Sequence, residues 1–129
     1  EIREGQLSML FDDMQADYRK GNYVICGGDY NHNVKETEIE NVPEWAFPFP
    51  REDIPDGFHM AIDDAGTPED IAHDSCRSAD EPYEEGQTFT ITLDGFIVSD
   101  NVAVKEYRNM DCGYKYSDHD PVVMKFELE

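Results

Sequence analysis

The stretch Tyr23-Val24-Ile25-Cys26-Gly27-Gly28-Asp29-Tyr30-Asn31 decides the fold class. Its first four residues are a short apolar run with two β-branched members, the mark of a buried strand rather than a helix. Gly27-Gly28 ends the run in this reading. Upstream, Leu7, Leu10, Phe11, Met14 and Tyr18 recur at three- and four-residue steps, which predicts an amphipathic helix over 5–19. Gly21 follows Arg19 and Lys20, as a helix stop should. Helix, tight turn and buried strand in that order are an α/β signature.

Downstream the pattern changes. Pro43, Pro48, Pro50, Pro55, Pro68 and Pro82 punctuate residues 34–87, where acids are also dense. The expectation is a long, mostly irregular insert with one short helix near Pro68 to Ala72, anchored by Trp45, Phe47, Phe49 and Phe58. Order returns with strands expected over 88–92, 95–99 and 102–107. A last one, 121–128, alternates Val122, Met124, Phe126 and Leu128 against Val123, Lys125 and Glu127.

The chain has 129 residues, 39% of them apolar, enough for one domain with a real core. Its first residue, Glu1, reads as the start of a processed or excised piece. Ten basic residues face thirty acidic ones, a formal charge of -20. Most of these carboxylates read as a solvated surface. There is no basic stripe of the kind that neutralises the phosphates of long duplex DNA, so the charge argues against that partner. A phosphate substrate would need a bound cation or a basic surface from elsewhere. Cys26, Cys76 and Cys112 form no Cys-x-x-Cys pair, and an odd count argues against a disulfide scaffold. Cys26 reads as a small core residue. No apolar run approaches a membrane span.

Three short clusters carry chemistry, each where a strand is expected to begin or end. In Gly27-Gly28-Asp29-Tyr30-Asn31-His32-Asn33, Asp29 and Asn31 alternate and would point the same way from an extended turn. An acid and an amide together can take a proton from water and hold it in line; the same residues also make an ordinary Gly/Asp/Asn turn. In Leu93-Asp94-Gly95-Phe96-Ile97-Val98-Ser99, a carboxylate inside an apolar stretch must find a partner, or else face solvent at a strand edge. In Tyr116-Ser117-Asp118-His119-Asp120-Pro121-Val122, a histidine flanked by two acids suits acid/base or metal chemistry, or a polar loop before a strand.

In this order, the three clusters together resemble the last three motifs of the endonuclease/exonuclease/phosphatase superfamily, whose members cleave phosphate esters. The resemblance spans residues 5–128, with Tyr30 standing where the family commonly has Phe, Leu or Ile. It implies an α/β fold: half of a two-sheet, DNase I-like α/β sandwich, with a mixed, largely antiparallel sheet and a flanking helix. It implies catalytic roles for Asp29, Asn31, Asp94 and His119. Asp29 would activate the attacking water, and Asn31 would orient water or phosphate. His119 would stabilise phosphoryl charge, with Asp94 fixing its tautomer. Asp118, with Asp29, would lie at a metal edge holding Mg²⁺ or Mn²⁺, cations that suit oxygen-rich sites. The strands carrying Asp94 and His119 would then lie side by side.

The family's N-terminal half carries an Asn-bearing strand and a metal-binding Glu, and neither motif is found here. Glu36, Glu38 and Glu40 are not credible stand-ins. The reading is therefore a metal-dependent phosphoesterase in which this chain supplies half of the site, inactive in isolation. The alternative is a catalytically inactive binding module that keeps the fold. The expected substrate is a small phosphorylated molecule or a lipid head group. A homodimer could mimic the missing half. Some relatives of this style are membrane-anchored through an N-terminal segment, which would place a longer parent at a membrane or outside the cytoplasm.

The remaining features are weaker. Arg77 could clamp a substrate phosphate or form a structural ion pair. Ile62-Asp63-Asp64-Ala65-Gly66 lacks the alternating ligands and closing Glu of a calcium loop. Trp45, Phe47 and Phe49 could form a sugar or lipid platform, with packing the safer reading. His32, His59 and His73 share no metal-ligand spacing and read as ordinary polar residues.

Overall fold

The computed structural model describes residues 2–36 and 43–129, so Glu38 and Glu40 lie outside the described residues. Helix α1 spans Ile2–Arg19, three residues earlier than expected. Phe11 and Met14 are buried, and Leu7, Leu10 and Tyr18 pack beside them, so the predicted face is the one that meets the core. The helix ends where Gly21 adopts φ 87°, a left-handed conformation that glycine takes without strain. Gly21 N–H donates to the Tyr18 carbonyl at 2.9 Å and Asn22 N–H to the Asp17 carbonyl at 3.3 Å, the paired bonds of a Schellman cap.

Strand β1 is Ile25–Asp29, not 23–26. Gly27 and Gly28 do not end it, because they pair with Phe96 and Gly95 of the neighbouring strand. The Phe96 ring lies where a Gly27 side chain would stand, 2.6 Å from the position of a Cβ, so glycine here admits an aromatic cover. Nor is β1 buried: most of it is exposed, since it forms one edge of its sheet. Tertiary position, not apolar content, sets that exposure.

The insert is more ordered than its prolines suggest. Phe58–Met60 forms strand β2, with Phe58 and Met60 buried and His59 between them. Ala61–Ala65 forms the five-residue helix α2. No helix forms at 68–72; a single turn opens there, in which the Thr67 hydroxyl receives the Asp70 N–H at 3.3 Å. Cys76–Arg77 forms β3 and Thr90–Ile91 forms β4, shorter than the 88–92 expected. Strand β5 is Asp94–Ser99, β6 is Val102–Asn109 and β7 is Val122–Leu128.

All strand pairs are antiparallel. One sheet has the order β1-β5-β2, so the insert contributes a strand to the main sheet, and β3-β4 and β6-β7 form separate ribbons. The fold is thus a mixture of helix and antiparallel sheet. Central β5 anchors the core: Ile97 and Val98 have no exposed surface and meet Phe58, Met60, Ala61 and Ile62 from the insert and Phe11 and Met14 from α1. Full burial of one such aliphatic side chain is worth about 1.5–3 kcal/mol. The apolar face of β7 is only half used. Val122 and Met124 pack on the core, whereas Phe126 and Leu128 are exposed. Cys26 is partly buried against the core, and all three cysteines are free thiols. Phe49 is buried edge-on to Tyr30, whereas Trp45 and Phe47 remain exposed. Among the described residues, no helix is long and apolar enough to cross a membrane.

His59 is not an ordinary surface histidine. Its Nδ1 lies 2.7 Å from Asp100 and its Nε2 2.5 Å from Asp64, tying β2 to α2 and to the β5–β6 turn. Burial works to lower its pKa, but the hydrogen bonds and charges of Asp100 and Asp64 outweigh it and raise the pKa above the ordinary imidazole value. A raised folded-state pKa contributes stability that is complete below the unfolded value of about 6.5 and fades as pH rises through the folded one. The stability difference between wild type and His59→Gln, read by thermal melts, should therefore shrink as pH rises above about 6.5. A difference that holds constant or grows as pH rises would remove the ion-pair account.

Candidate functional site

The antiparallel register of β1 on β5 sets Asp29, the last residue of one strand, opposite Asp94, the first residue of the other. Two carboxylates from the first and second motifs thus reach the same end of the sheet. Asp29 Oδ1 accepts the Asn31 N–H at 2.8 Å, which leaves Oδ2 turned toward His119. Tyr30 braces this turn, donating its N–H to the Leu93 carbonyl at 2.8 Å and its hydroxyl to the Cys26 carbonyl at 2.6 Å.

His119 arrives by another route. The strands carrying Asp94 and His119 do not lie side by side, because β7 pairs with β6. Instead, the loop ahead of β7 is bridged to the insert, with Cys76 opposite His119. Arg77 N–H donates to the Asp118 carbonyl at 2.9 Å and Asp120 N–H to the Ser75 carbonyl at 2.8 Å, closing the bridge on both sides. The insert segment is itself held down. The Asp74 carboxylate takes Lys35 Nζ at 2.8 Å and the hydroxyls of Thr90 at 2.6 Å and Thr92 at 3.0 Å. Burial disfavours charge on Asp74, but Lys35 and the two hydroxyls hold its carboxyl below the usual range.

The result is a connected chain of polar groups. Ser75, fully buried, accepts the Leu93 and Asp94 N–H groups at 3.1 and 3.2 Å and donates its hydroxyl to Asp94 Oδ2 at 2.7 Å. The same Asp94 oxygen receives His119 Nδ1 at 2.8 Å. On the far side of the ring, Nε2 lies 3.8 Å from Asp29 Oδ2 and 3.6 Å from Cys76 Sγ. Burial tends to lower the His119 pKa, yet the Asp94 hydrogen bond and the charges of Asp94, Asp29 and Asp118 raise it overall. The ring is therefore fixed in orientation and biased toward the imidazolium, a form that can meet developing negative charge.

Asp29, Asp94 and His119 thus come together as the motif order expects, and their ligand atoms are close enough to share a metal ion. The other expected residues do not join them. Asn31 adopts φ 52°, so the chain leaves the extended path on which it and Asp29 would point the same way; its backbone, not its amide, touches Asp29. Asp118 stays outside the cluster, its carboxylate 3.4 Å from the Ser117 hydroxyl. Arg77 forms no ion pair among the described residues. Its guanidinium donates to the carbonyls of Ser78 at 2.9 Å and Glu81 at 3.4 Å and so braces its own loop. Glu36 is exposed and 3.7 Å from Arg51.

Ser75 and Cys76 were not foreseen, because nothing in an acidic, proline-rich insert marks two residues that will be zipped to a loop more than forty positions away. A second group was also missed. His73 Nε2 lies 2.7 Å from buried Asp120, and Asp111 is 3.6 Å from Nδ1. Asp120 Oδ2 already accepts the N–H groups of Cys112 and Tyr114 at 3.0 and 3.3 Å, so this group clasps the loop. Cys76, His119 and Asp94 also have the order of a nucleophilic triad. Burial, with the charges of Asp118, Asp94 and Asp29, pushes the Cys76 thiol up to about 12, which keeps the free thiol protonated and unreactive.

The raised His119 pKa depends on Asp94. Asp94→Asn should lower it, as followed by the pH titration of the ring resonances in proton–nitrogen NMR, while Asp118→Asn should lower it less. An unchanged titration in Asp94→Asn would show that the contact does not control the ring. No protein-family model and no curated protein sequence matches this chain, so the functional reading rests on the geometry of this cluster.

Proposed function

We propose that this chain carries the phosphoryl-binding half of a metal-dependent phosphoesterase with a DNase I-like sandwich fold. The observation that supports the reading best is the single ring of His119, held by Asp94 on one nitrogen with Asp29 facing the other, at an open strand end. In this role Asp29 Oδ2 accepts a proton from the attacking water, because its other oxygen is already occupied by the Asn31 N–H. His119 donates Nε2–H to a phosphoryl oxygen and offsets its growing charge. Asp94 and Ser75 keep the ring from turning. A divalent cation held by Asp29 would supply Lewis-acid charge to the phosphoryl group.

The donor set fits such a cation but does not complete its shell. Asp94 is engaged by Ser75 and His119, Asp118 stands apart, and Asp29, with Oδ1 taken by the Asn31 N–H, is only part-satisfied. A hard cation such as Mg²⁺ or Mn²⁺ prefers about six oxygens, so further ligands come from a complementing segment or from water. The acidic surface favours a small phosphorylated molecule or a lipid head group over long duplex DNA.

Hydrolysis of bis(p-nitrophenyl) phosphate by the longest protein that contains this chain, with and without added Mg²⁺ or Mn²⁺, tests the reading. Asp29→Asn and His119→Ala should each lower turnover roughly 10²- to 10⁴-fold while leaving the fold intact. Metal-independent or absent turnover in the wild type would favour a binding module that keeps the fold without the reaction.

Self-association follows from the surface. Tyr23, Ile25, Phe126 and Leu128 are exposed at and beside the sheet edges, and the Tyr23 hydroxyl reaches the Glu129 carbonyl at 2.5 Å. Exposed apolar groups of this kind seek cover. Sedimentation of the 129-residue chain at micromolar concentration should show a dimer, and Phe126→Glu with Leu128→Glu should return it to monomer. A compact wild-type monomer would count against this part of the proposal.

A further inference from the structure

We infer that the groove between α1 and the proline-rich start of the insert is a docking surface for a basic amphipathic helix of a partner protein. The inference goes beyond the phosphoesterase reading and does not depend on it.

Three observations carry it. The first is shape. The groove has a volume of about 940 Å³ and is lined along α1 from Ile2 to Gln15. At about 1.5 Å per residue that wall is roughly 20 Å long, the length of a partner helix of about thirteen residues. The second is the lining. Leu7 and Phe11 contribute on the α1 side, and Phe47, Pro48 and Pro50 on the insert side. Ile2 and Phe47, which also line the groove, are 80% and 58% exposed, so a covering partner removes apolar surface from water. Neither wall offers a backbone rail to an extended peptide. The amides of α1 are bonded within the helix, the prolines have no N–H, and the Phe47 carbonyl and Phe49 N–H are already paired with Asn33 at 2.8 and 2.9 Å. A helix satisfies its own backbone and covers such walls without leaving amides unpaired.

The third observation is charge. Glu4, Asp12 and Asp53 line the groove against a single basic side chain, Arg3. Arg3 is engaged by the chain itself: its Nη1 donates to the carbonyls of Asn31 at 2.9 Å and Trp45 at 2.7 Å, strapping α1 to the insert. Asp12 and Asp53 are exposed. A helix with Lys or Arg along the margins of its apolar stripe meets complementary charge here. A second copy of this chain, with its formal charge of -20, meets repulsion instead, as does an anionic lipid surface.

A labelled Leu/Lys peptide of about fourteen residues, with its leucines at three- and four-residue steps, is the probe. It is titrated with the 129-residue chain and followed by fluorescence anisotropy. The expected result is saturable binding, one peptide per chain, that weakens as salt is raised. A peptide of the same composition, with its leucines scrambled off a single helix face, should bind roughly 10-fold or more weakly. Asp12→Lys with Asp53→Lys should weaken binding about 10-fold or more, and so should Phe47→Asp alone. All three side chains are exposed, so the fold is kept. Glu84→Lys with Glu85→Lys makes the same charge change at exposed positions that do not line the groove, and should alter binding less than about twofold. Absence of saturable binding by the wild type, a result that needs no variant, overturns the inference. Equal binding of the scrambled peptide, or equal loss in the two lysine double variants, also overturns it, because bulk charge then accounts for the attraction. A sedimenting dimer that Phe47→Asp disrupts, or binding to zwitterionic lipid vesicles in place of the peptide, gives the groove another occupant and overturns it as well.

Discussion

The buried hydroxyl of Ser75 is the point on which the polar cluster depends. It joins three parts of the chain that share no sheet: the insert, the start of β5, and, through Asp94, the loop that carries His119. A fully buried hydroxyl must satisfy both its donor and its acceptor capacity, and here it does so by gripping the backbone and the carboxylate of the same strand end. Asp94 is thereby held in one rotamer, and a carboxylate so held can orient an imidazole. Without that grip, the 2.8 Å contact to His119 would be one of several options open to a strand-end acid.

The same logic explains why so acidic a chain can afford a half-buried cluster of carboxylates. Three acids near the cluster have specific counterparts: Asp74 has Lys35 and two threonines, Asp120 has His73 and two backbone amides, and Asp94 has Ser75 and His119. Asp29 differs, with one oxygen satisfied by the turn and the other directed at His119 across 3.8 Å. An acid left part-satisfied beside a fixed, positively biased ring is suited to bind or to react, whereas the others serve to position. Cys76 adds a soft atom to that unsaturated corner, and its placement follows from the bridge that aligns His119.

Local pattern determined a good deal of this. The steps of Leu7, Leu10, Phe11, Met14 and Tyr18 set the buried face of α1, because helical periodicity is a property of neighbours in sequence. Gly21 ended the helix for the same reason. The apolar residues of 95–99 announced a strand, observed as Asp94–Ser99, and the resemblance carried by the three motifs nominated Asp29, Asp94 and His119, which do converge. What only the tertiary structure decided is everything carried by pairing between distant segments. Phe58–Met60 is too short to announce itself as a strand, yet it gains an edge on β5. The exposure of β1 follows from its place at a sheet edge. The left-handed turn at Asn31 redirects a side chain that alternation alone would have aimed at the cleft. Ser75 and Cys76 become site residues only because main-chain bonds zip them to 118–120, and backbone hydrogen bonds between remote strands carry no signature in side-chain order.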